Sequence, residues 1–411
     1  AYKAIGWMLF PAAVTYTVIT ALKQKNRLYL IQRLGRYQAS PPKDPPIWCH
    51  CASVGEIKTV LPLLKNLIAE NEQLVVSTNT ITGFNTLLQA NLDNTVAAFL
   101  PLDYSILANN FLKVFSPKIL LLAETELWPN ILLATARQSK PIIIINGRIS
   151  DKTLNAPAFM KKSYSRILDH VDHVFASSQA SADRFIALGA DSKTVTTIDN
   201  LKFSSMDFHG QTQSSRPLKQ RYILCASTHA GEESLIMRAW KNHAISDIQL
   251  VIAIRHPHRK NDVCNEAEKL GLTYTLHSQG PASDISDIYV IDTLGELPPF
   301  IQHAELVFMG GSLVPDIGGH NMLEAARYGK CIVNGPYYDN FTEIVDDMIE
   351  LDSIIIVENA DHFLSQATIL LTDKERRIQL GNNARKFLSD KSSVADEYTQ
   401  WIMNYINPHS S

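Results

Sequence analysis

The chain has 411 residues, 45% of them hydrophobic and 19% charged, with a formal net charge of −3. One core stops growing near ~250–300 residues, so this length predicts two domains. The mildly acidic balance, with no Lys/Arg cluster interleaved with aromatics, argues against a surface built for nucleic acid, and five scattered cysteines without a CxxC pair argue against a disulfide framework and fit a reducing compartment.

Residues 4–22 (AIGWMLFPAAVTYTVITAL) carry no charge. As a helix rising ~1.5 Å per residue they reach roughly across a bilayer core. Trp7, Tyr16, Pro11 and three threonines dilute the stretch, so a full span and an interfacial anchor are both open. No acidic residue precedes Asp44, whereas Lys3, Lys23, Lys25, Arg27, Arg33, Arg36 and Lys43 are basic. That excess suits anionic headgroups and would hold the rest of the chain on the cytoplasmic side. A cleaved signal peptide lacks its small-x-small site, and a buried amphipathic helix is the plainer alternative. The proline-rich residues 41–46 (PPKDPP) then separate this segment from the globular part.

Short apolar runs follow, alternating with helical patterns: IWCHCA (47–52), LVVST (74–78), KILLLAE (118–124), PIIIIN (141–146) and HVFASS (173–178). A second series, YILCAST, QLVIAIR, IYVIDT, ELVFMGG, KCIVNG and SIIIV, begins after Arg221. Strands alternating with helices predict parallel, doubly wound sheets. The organisation read from this is an anchor segment (1–43), a first Rossmann-like domain (44–203), a polar linker (204–220), a second Rossmann-like domain (221–395) and a C-terminal helix (396–411) packing back on the first. Cys49, His50 and Cys51 invite a metal reading, but on a strand the two sulfurs share one face and the imidazole takes the other.

Ligands of such sheets bind beyond the carboxyl ends of the strands, so the motifs there carry most information. Ser53-Val54-Gly55-Glu56 puts a carboxylate in the first turn of a helix, where the dipole favours its ionised form and it can act as a base. The same spacing is that of a capping box. Glu124-Thr125-Glu126-Leu127-Trp128-Pro129-Asn130 puts two acids at a strand end, readable as chemistry or as a helix start with Pro129 in an early position. In the second half, STHAGEE from Ser227, RHPHR from Arg255, DTLGEL from Asp292, the Gly310-Gly311-Ser312 turn and GGHNMLE from Gly318 follow successive strands. Paired glycines, helix amides and an Arg at a strand end suit a phosphate. Neither GxGxxG nor GxxxxGK[ST] occurs, which removes support for a dinucleotide dehydrogenase or a Walker-type NTPase.

These segments, together with LPLDY (100–104), NGRIS (146–150), NLKF (200–203) and GPYYDNF (335–341), resemble in order the 3-deoxy-D-manno-oct-2-ulosonic acid (Kdo) transferases of Gram-negative bacteria. The resemblance implies an α/β GT-B glycosyltransferase, two Rossmann-like doubly wound domains facing a cleft, with an N-terminal membrane-anchoring helix. It implies inverting transfer of Kdo from CMP-Kdo to a tetraacylated lipid A precursor. Glu56 then corresponds to the general base, and Glu124 and Lys202 to groups stabilising the transition state. Arg255, His256, Leu294, Gly295, Glu296, Asn321, Met322, Leu323 and Glu324 correspond to the CMP-binding positions. No cofactor, metal or protein partner is expected; the partners are CMP-Kdo, the lipid A precursor and an anionic membrane surface, at the cytoplasmic face of the inner membrane. Two positions depart from the family's usual pattern: Gly147, where NARIS is common, and Met322, where Pro is common. Ala1 suggests an initiating Met outside this numbering. A sugar-nucleotide epimerase or hydrolase and a noncatalytic membrane scaffold are the rival readings; the basic apolar N-terminus disfavours the first, and the retained carboxylates disfavour the second.

Overall fold

The computed structural model describes residues 2–38, 44–149, 151–204, 215–243, 245, 247–280 and 285–408, with the backbone alone for 2–9, 151 and 152. The chain divides into two α/β units, Ala1–Ser205 with Ser393–Ser411, and Met206–Ser392. Of the predicted linker 204–220, residues 205–214 lie outside the described residues.

The first unit holds β1 (Ile47–His50), β2 (Leu74–Thr78), β3 (Thr95–Phe99), β4 (Ile119–Ala123), β5 (Ile142–Gly147), β6 (His173–Ala176) and β7 (Val195–Thr197). They form one parallel sheet in the order β3-β2-β1-β4-β5-β6-β7. The second unit holds β8 (Arg221–Thr228), β9 (Ile248–Ile254), β10 (Tyr274–Leu276), β11 (Ile288–Ile291), β12 (Leu306–Met309), β13 (Cys331–Asn334) and β14 (Ile355–Ile356). These are also parallel, in the order β10-β11-β9-β8-β12-β13-β14. Interior strands such as β1, β4 and β5 are buried along their whole length, as expected of strands covered on both faces, and this is why they read as continuous apolar runs. Strands β3, β7 and β10 escaped the sequence reading. Each lies at a sheet edge and is partly exposed, so its sequence mixes Thr, Ala and Tyr with the apolar residues.

Cys49 and Cys51 both sit in the core of the first unit with their sulfurs 3.8 Å apart. His50 is buried on the other side, its Nδ1 3.0 Å from the Ser77 hydroxyl. Burial, the largest influence, holds its imidazole down at about 3. This is a structural histidine.

The N-terminal apolar stretch is a helix, Tyr2–Lys23, containing Pro11. Among the described residues, no helix is long and apolar enough to cross a membrane. Thr17 and Ala21 are buried while Tyr16, Ile19 and Leu22 are exposed. The next helix, Arg27–Arg33, covers the β3 edge of the sheet. Gln32 accepts the Phe99 amide at 2.8 Å, and Arg33 donates to the Leu100 carbonyl at 2.8 Å and to Asn79 at 3.0 Å. The segment is therefore fastened to the first unit, and the outward-facing Phe99 amide of the edge strand is satisfied.

The C-terminal helix runs Val394–Ile406, which moves the end of the second unit from 395 to 392. Tyr398 and Ile402 are buried in the core of the first unit, and the Tyr398 hydroxyl accepts the Asn146 amide at 3.1 Å. Asn146 has φ +54° and its side-chain oxygen accepts the Leu201 amide at 3.0 Å. The end of β5, the NLKF turn and the C-terminal helix are thus joined at one asparagine.

Candidate functional site

In the first unit the predicted catalytic residues lie at the carboxyl ends of neighbouring strands: Glu56 after β1, Glu124 after β4, and Lys202 in the turn that Asn146 ties to β5. Ser53 caps the helix Val54–Ala69 by accepting the Glu56 amide at 3.3 Å. The Ser53 hydroxyl in turn donates to Glu56 Oε1 at 2.8 Å, and the Ala52 amide donates to Oε2 at 2.7 Å. The cap is real, but the return bond of a capping box goes to the Ala52 amide, one residue before the cap, and the cap and the candidate base are hydrogen-bonded to one another. A carboxylate has about four acceptor positions; Glu56 fills two of them within this turn.

The helix dipole favours the ionised form of Glu56, and burial opposes it. Glu56 is 8% exposed. Its carboxyl is pushed up to about 7, first by burial and then by the nearby Glu124 and Glu126; the bonds from Ser53 and Ala52 oppose the shift without cancelling it. Glu126 is likewise raised by burial, with Trp128 Nε1 donating to it at 2.9 Å. Glu124 has φ +57°, a conformation uncommon for a residue with a Cβ and found preferentially where a side chain is aimed for use. Its amide still donates to the Ile145 carbonyl at 2.9 Å, and the Thr125 hydroxyl donates to the Arg148 carbonyl. Asp103, from the LPLDY segment, accepts the amides of Asn130 (3.2 Å) and Ile131 (2.9 Å) and so starts the helix Pro129–Arg137. The helix-start reading of ETELWPN is therefore correct for Pro129 and Asn130, and leaves the role of the acids untouched.

In the second unit, Arg255 and His256 follow β9, Leu294, Gly295 and Glu296 follow β11, and Asn321, Met322, Leu323 and Glu324 lie beyond β12. They gather at the carboxyl ends of the adjacent strands β11, β9, β8 and β12. Arg255 and His256 are exposed, and the Arg255 amide donates to the Thr228 carbonyl at 3.0 Å. Asp292 is buried and fixes the next turn by accepting the Ser278 hydroxyl at 2.6 Å and amide at 2.9 Å, with Lys260 at 3.4 Å. Burial alone would raise its carboxyl, and these contacts hold it below the ordinary value. Beyond it Leu294 is 71% exposed and Gly295 turns at φ +87°.

The anion cradle read from the glycines needs correction. The Gly319 amide is spent on the Gly311 carbonyl at 2.8 Å. The helix expected from Asn321 is a single turn, Leu323–Ala326, and the Asn321 side chain accepts the Leu323 amide at 3.2 Å. Met322 and Leu323 are fully buried, so only main chain is left to offer a ligand at those two positions, flanked by Asn321 and the exposed Glu324. The amides of Gly311, Ser312 and Leu313 are also occupied, all by Glu232 (2.7, 2.9 and 2.9 Å), which accepts the His229 amide at 2.8 Å as well. Glu232 therefore fills all its acceptor positions with main chain. Glu233 pairs with Arg259 through two bonds, 3.0 and 3.2 Å. The sequence reading placed STHAGEE near phosphate and missed this locking function, although HAGE after the first strand of the second unit echoes SVGE after the first strand of the other. Also missed was a contact between His229 and His320, whose Nε2 atoms lie 2.8 Å apart. Among the described residues, no group of three or more His, Cys, Asp or Glu is placed to hold a metal ion.

Because the folded state binds the Glu56 proton more tightly than the unfolded chain, this group favours folding most below pH 4.5, and that advantage is lost as pH rises to about 7. Replacing it by a neutral isostere, Glu56→Gln, removes that slope. Thermal midpoints measured across this range are expected to converge in favour of the variant as pH rises; parallel curves for the two proteins would contradict the assignment.

The family model described as 3-Deoxy-D-manno-octulosonic-acid transferase (kdotransferase) matches residues 29–205. A 3-deoxy-D-manno-octulosonic acid transferase of Rickettsia felis is 31% identical over 373 residues, 88% of this chain and 79% of that protein. One of Haemophilus influenzae is 27% identical over 419 residues, 98% of each. Among solved structures, a glycosyltransferase from Rickettsia africae has the same fold, with a TM-score of 0.66 at 14% identity over 90% of this chain and 100% of that one. By sequence, by the order of its motifs and by its two parallel α/β units, the chain belongs to the 3-deoxy-D-manno-octulosonic acid (Kdo) transferase family.

Proposed function

We propose that the chain transfers Kdo from CMP-Kdo to a hydroxyl of the tetraacylated lipid A precursor with inversion at the anomeric carbon. The observation that carries this reading is Glu56: a buried carboxyl at a strand end, half its acceptor capacity unused, held near the pH at which a base must both bind and release a proton. Its ionised form takes the proton of the acceptor hydroxyl as that oxygen attacks the anomeric carbon. The bond from that carbon to the phosphate oxygen breaks, and its electron pair leaves with CMP. Glu124 is assigned to the positive charge that develops at the anomeric carbon, and Lys202 to the donor's phosphate or carboxylate. Arg255, His256, Leu294, Gly295, Glu296, Asn321 and Glu324, with the main chain of Met322 and Leu323, are assigned to CMP. CMP-Kdo is a substrate, and the reaction as written uses no resident cofactor or metal.

A mass-spectrometric transfer assay with detergent-dispersed lipid A precursor and CMP-Kdo generated in situ tests this reading. Wild type is expected to make Kdo-bearing lipid at a rate that rises with pH through about 7 as Glu56 ionises, and Glu56→Gln is expected to lose at least ~100-fold in rate. Transfer by the variant at the wild-type rate would refute the role of Glu56, and no product from folded wild type would refute the reaction.

The inner membrane's cytoplasmic face is the proposed location, with the N-terminal helix lying in the interface. Tyr16 and Leu22 are 70% and 73% exposed, beside Lys23, Lys25 and Arg27. Each cation near an anionic surface contributes about 1 kcal/mol. Flotation with phosphatidylglycerol-containing vesicles is expected to carry the wild-type chain, and to carry much less of a variant with Lys23, Lys25 and Arg27 changed to Gln. Equal flotation of both would contradict the electrostatic part of the anchor.

A further inference from the structure

His229 and His320 come from different strand ends, the first after β8 and the second beyond β12, yet their Nε2 atoms are 2.8 Å apart. The rings are nearly parallel, 17° apart, with centroids at 5.0 Å. A hydrogen bond between two Nε2 atoms requires one of them to carry the proton and the other to be bare. In the neutral pair the donating ring then has a bare Nδ1, and the accepting ring carries N–H there. A single proton added at the bare Nδ1 leaves the Nε2–H···Nε2 bond intact, makes both Nδ1 atoms donors and gives the pair a charge of +1. A second added proton would break the bond. The pair is thus built to hold zero or one positive charge.

Its position is equally specific. His256 stands edge-on to His229 with ring centroids 5.3 Å apart, and His258 lies 5.7 Å beyond His256. His320 immediately precedes Asn321, so the pair bridges two of the segments assigned to CMP. The His229 amide is held by the buried Glu232, and the Cβ-free Gly311 allows the His320 ring to pack closely, since a Cβ there would lie 3.0 Å from it. The charged groups acting on the pair are Arg255, His256 and Arg259, all cationic or able to become so. The carboxylates on the adjoining helix, Glu232 and Glu233, are taken up by main-chain amides and by Arg259. Burial first, and then His256, Arg255 and Arg259, hold His229 below its ordinary value; burial first, and then His229, Arg255 and His256, hold His320 at about 4. In the absence of an anion the pair is therefore neutral at physiological pH.

We propose that His229 and His320 act as one proton-linked anion receptor: the pair takes up a single proton from solvent when the donor's phosphate binds, and releases it when CMP leaves. This rests on the reading that the second unit holds CMP. During transfer the added charge faces the negative charge gathering on the departing phosphate, without a proton being spent on it.

Calorimetric titration of the full chain with CMP, in two buffers of different ionisation enthalpy between about pH 7 and 8, measures the linked proton. Free CMP has a phosphate ionising near pH ~6, and cations around it would drive proton release, so uptake belongs to the protein. Wild type is expected to take up protons on binding CMP, its affinity falling by up to about tenfold per pH unit. His229→Gln and His320→Gln are each expected to lose the uptake and the pH dependence; two variants are used so that one failing to fold still leaves the other. Binding of CMP by wild type without uptake, or uptake retained in both variants, would overturn the pair's role while leaving the CMP site standing. Failure of folded wild type to bind CMP at any pH would overturn the donor reading and the pair together.

Discussion

Both units depend on a buried carboxylate placed one helical turn after the first strand. In each, a glycine–glutamate pair follows the strand, with the glutamate in the first turn of the next helix: Gly55-Glu56 after β1, Gly231-Glu232 after β8. A buried carboxylate is tolerated only where donors meet it. Glu232 is met by four amides from two loops and becomes a fastener. Glu56 is met by one amide and one hydroxyl, with two further carboxylates nearby that make its charge costlier still. Burial raises both carboxyls; the difference is that the surrounding loops fill every acceptor position of Glu232 and leave half of those of Glu56 open.

The same accounting sorts the other strand ends. Asp103 starts a helix, Asp292 fixes a turn, and Glu233 pairs with an arginine. Each holds the geometry of a loop and is consumed in doing so. In the second unit, Arg255, His256, Leu294 and Glu296 stand exposed on the turns beside these fasteners. Rigid loops on a parallel sheet are the means by which α/β proteins position ligand groups with side chains far apart in sequence.

Much of this was legible in the sequence because buried parallel strands are written as unbroken apolar runs. The interior strands declared themselves, whereas β3, β7 and β10, half-exposed at sheet edges, did not. The candidate base and its cap shared one motif, and a choice between them was unnecessary. The glycine pairs misled because their amides looked available, and only the fold shows that the Gly319 amide goes to the Gly311 carbonyl, the Gly310 amide to the Ala226 carbonyl and the Gly311 amide to Glu232. The His229–His320 contact, 91 residues apart in sequence, had no local signature at all. The upward shift of Glu56 was hidden for a similar reason: the dipole is local, but the burial that raises it most, and the smaller push of Glu124 and Glu126 from the end of β4, come from residues far apart in sequence.

The central claim is that Glu56 titrates near neutrality, and the most direct test is a carbon-13 NMR titration of the protein labelled at glutamate carboxyl carbons, with Glu56→Gln used to assign the resonance. The account predicts a carboxyl whose shift changes with a midpoint of about 7. A midpoint near the ordinary 4.5 would show that the hydrogen bonds outweigh burial, and would remove the physical basis for Glu56 as the base.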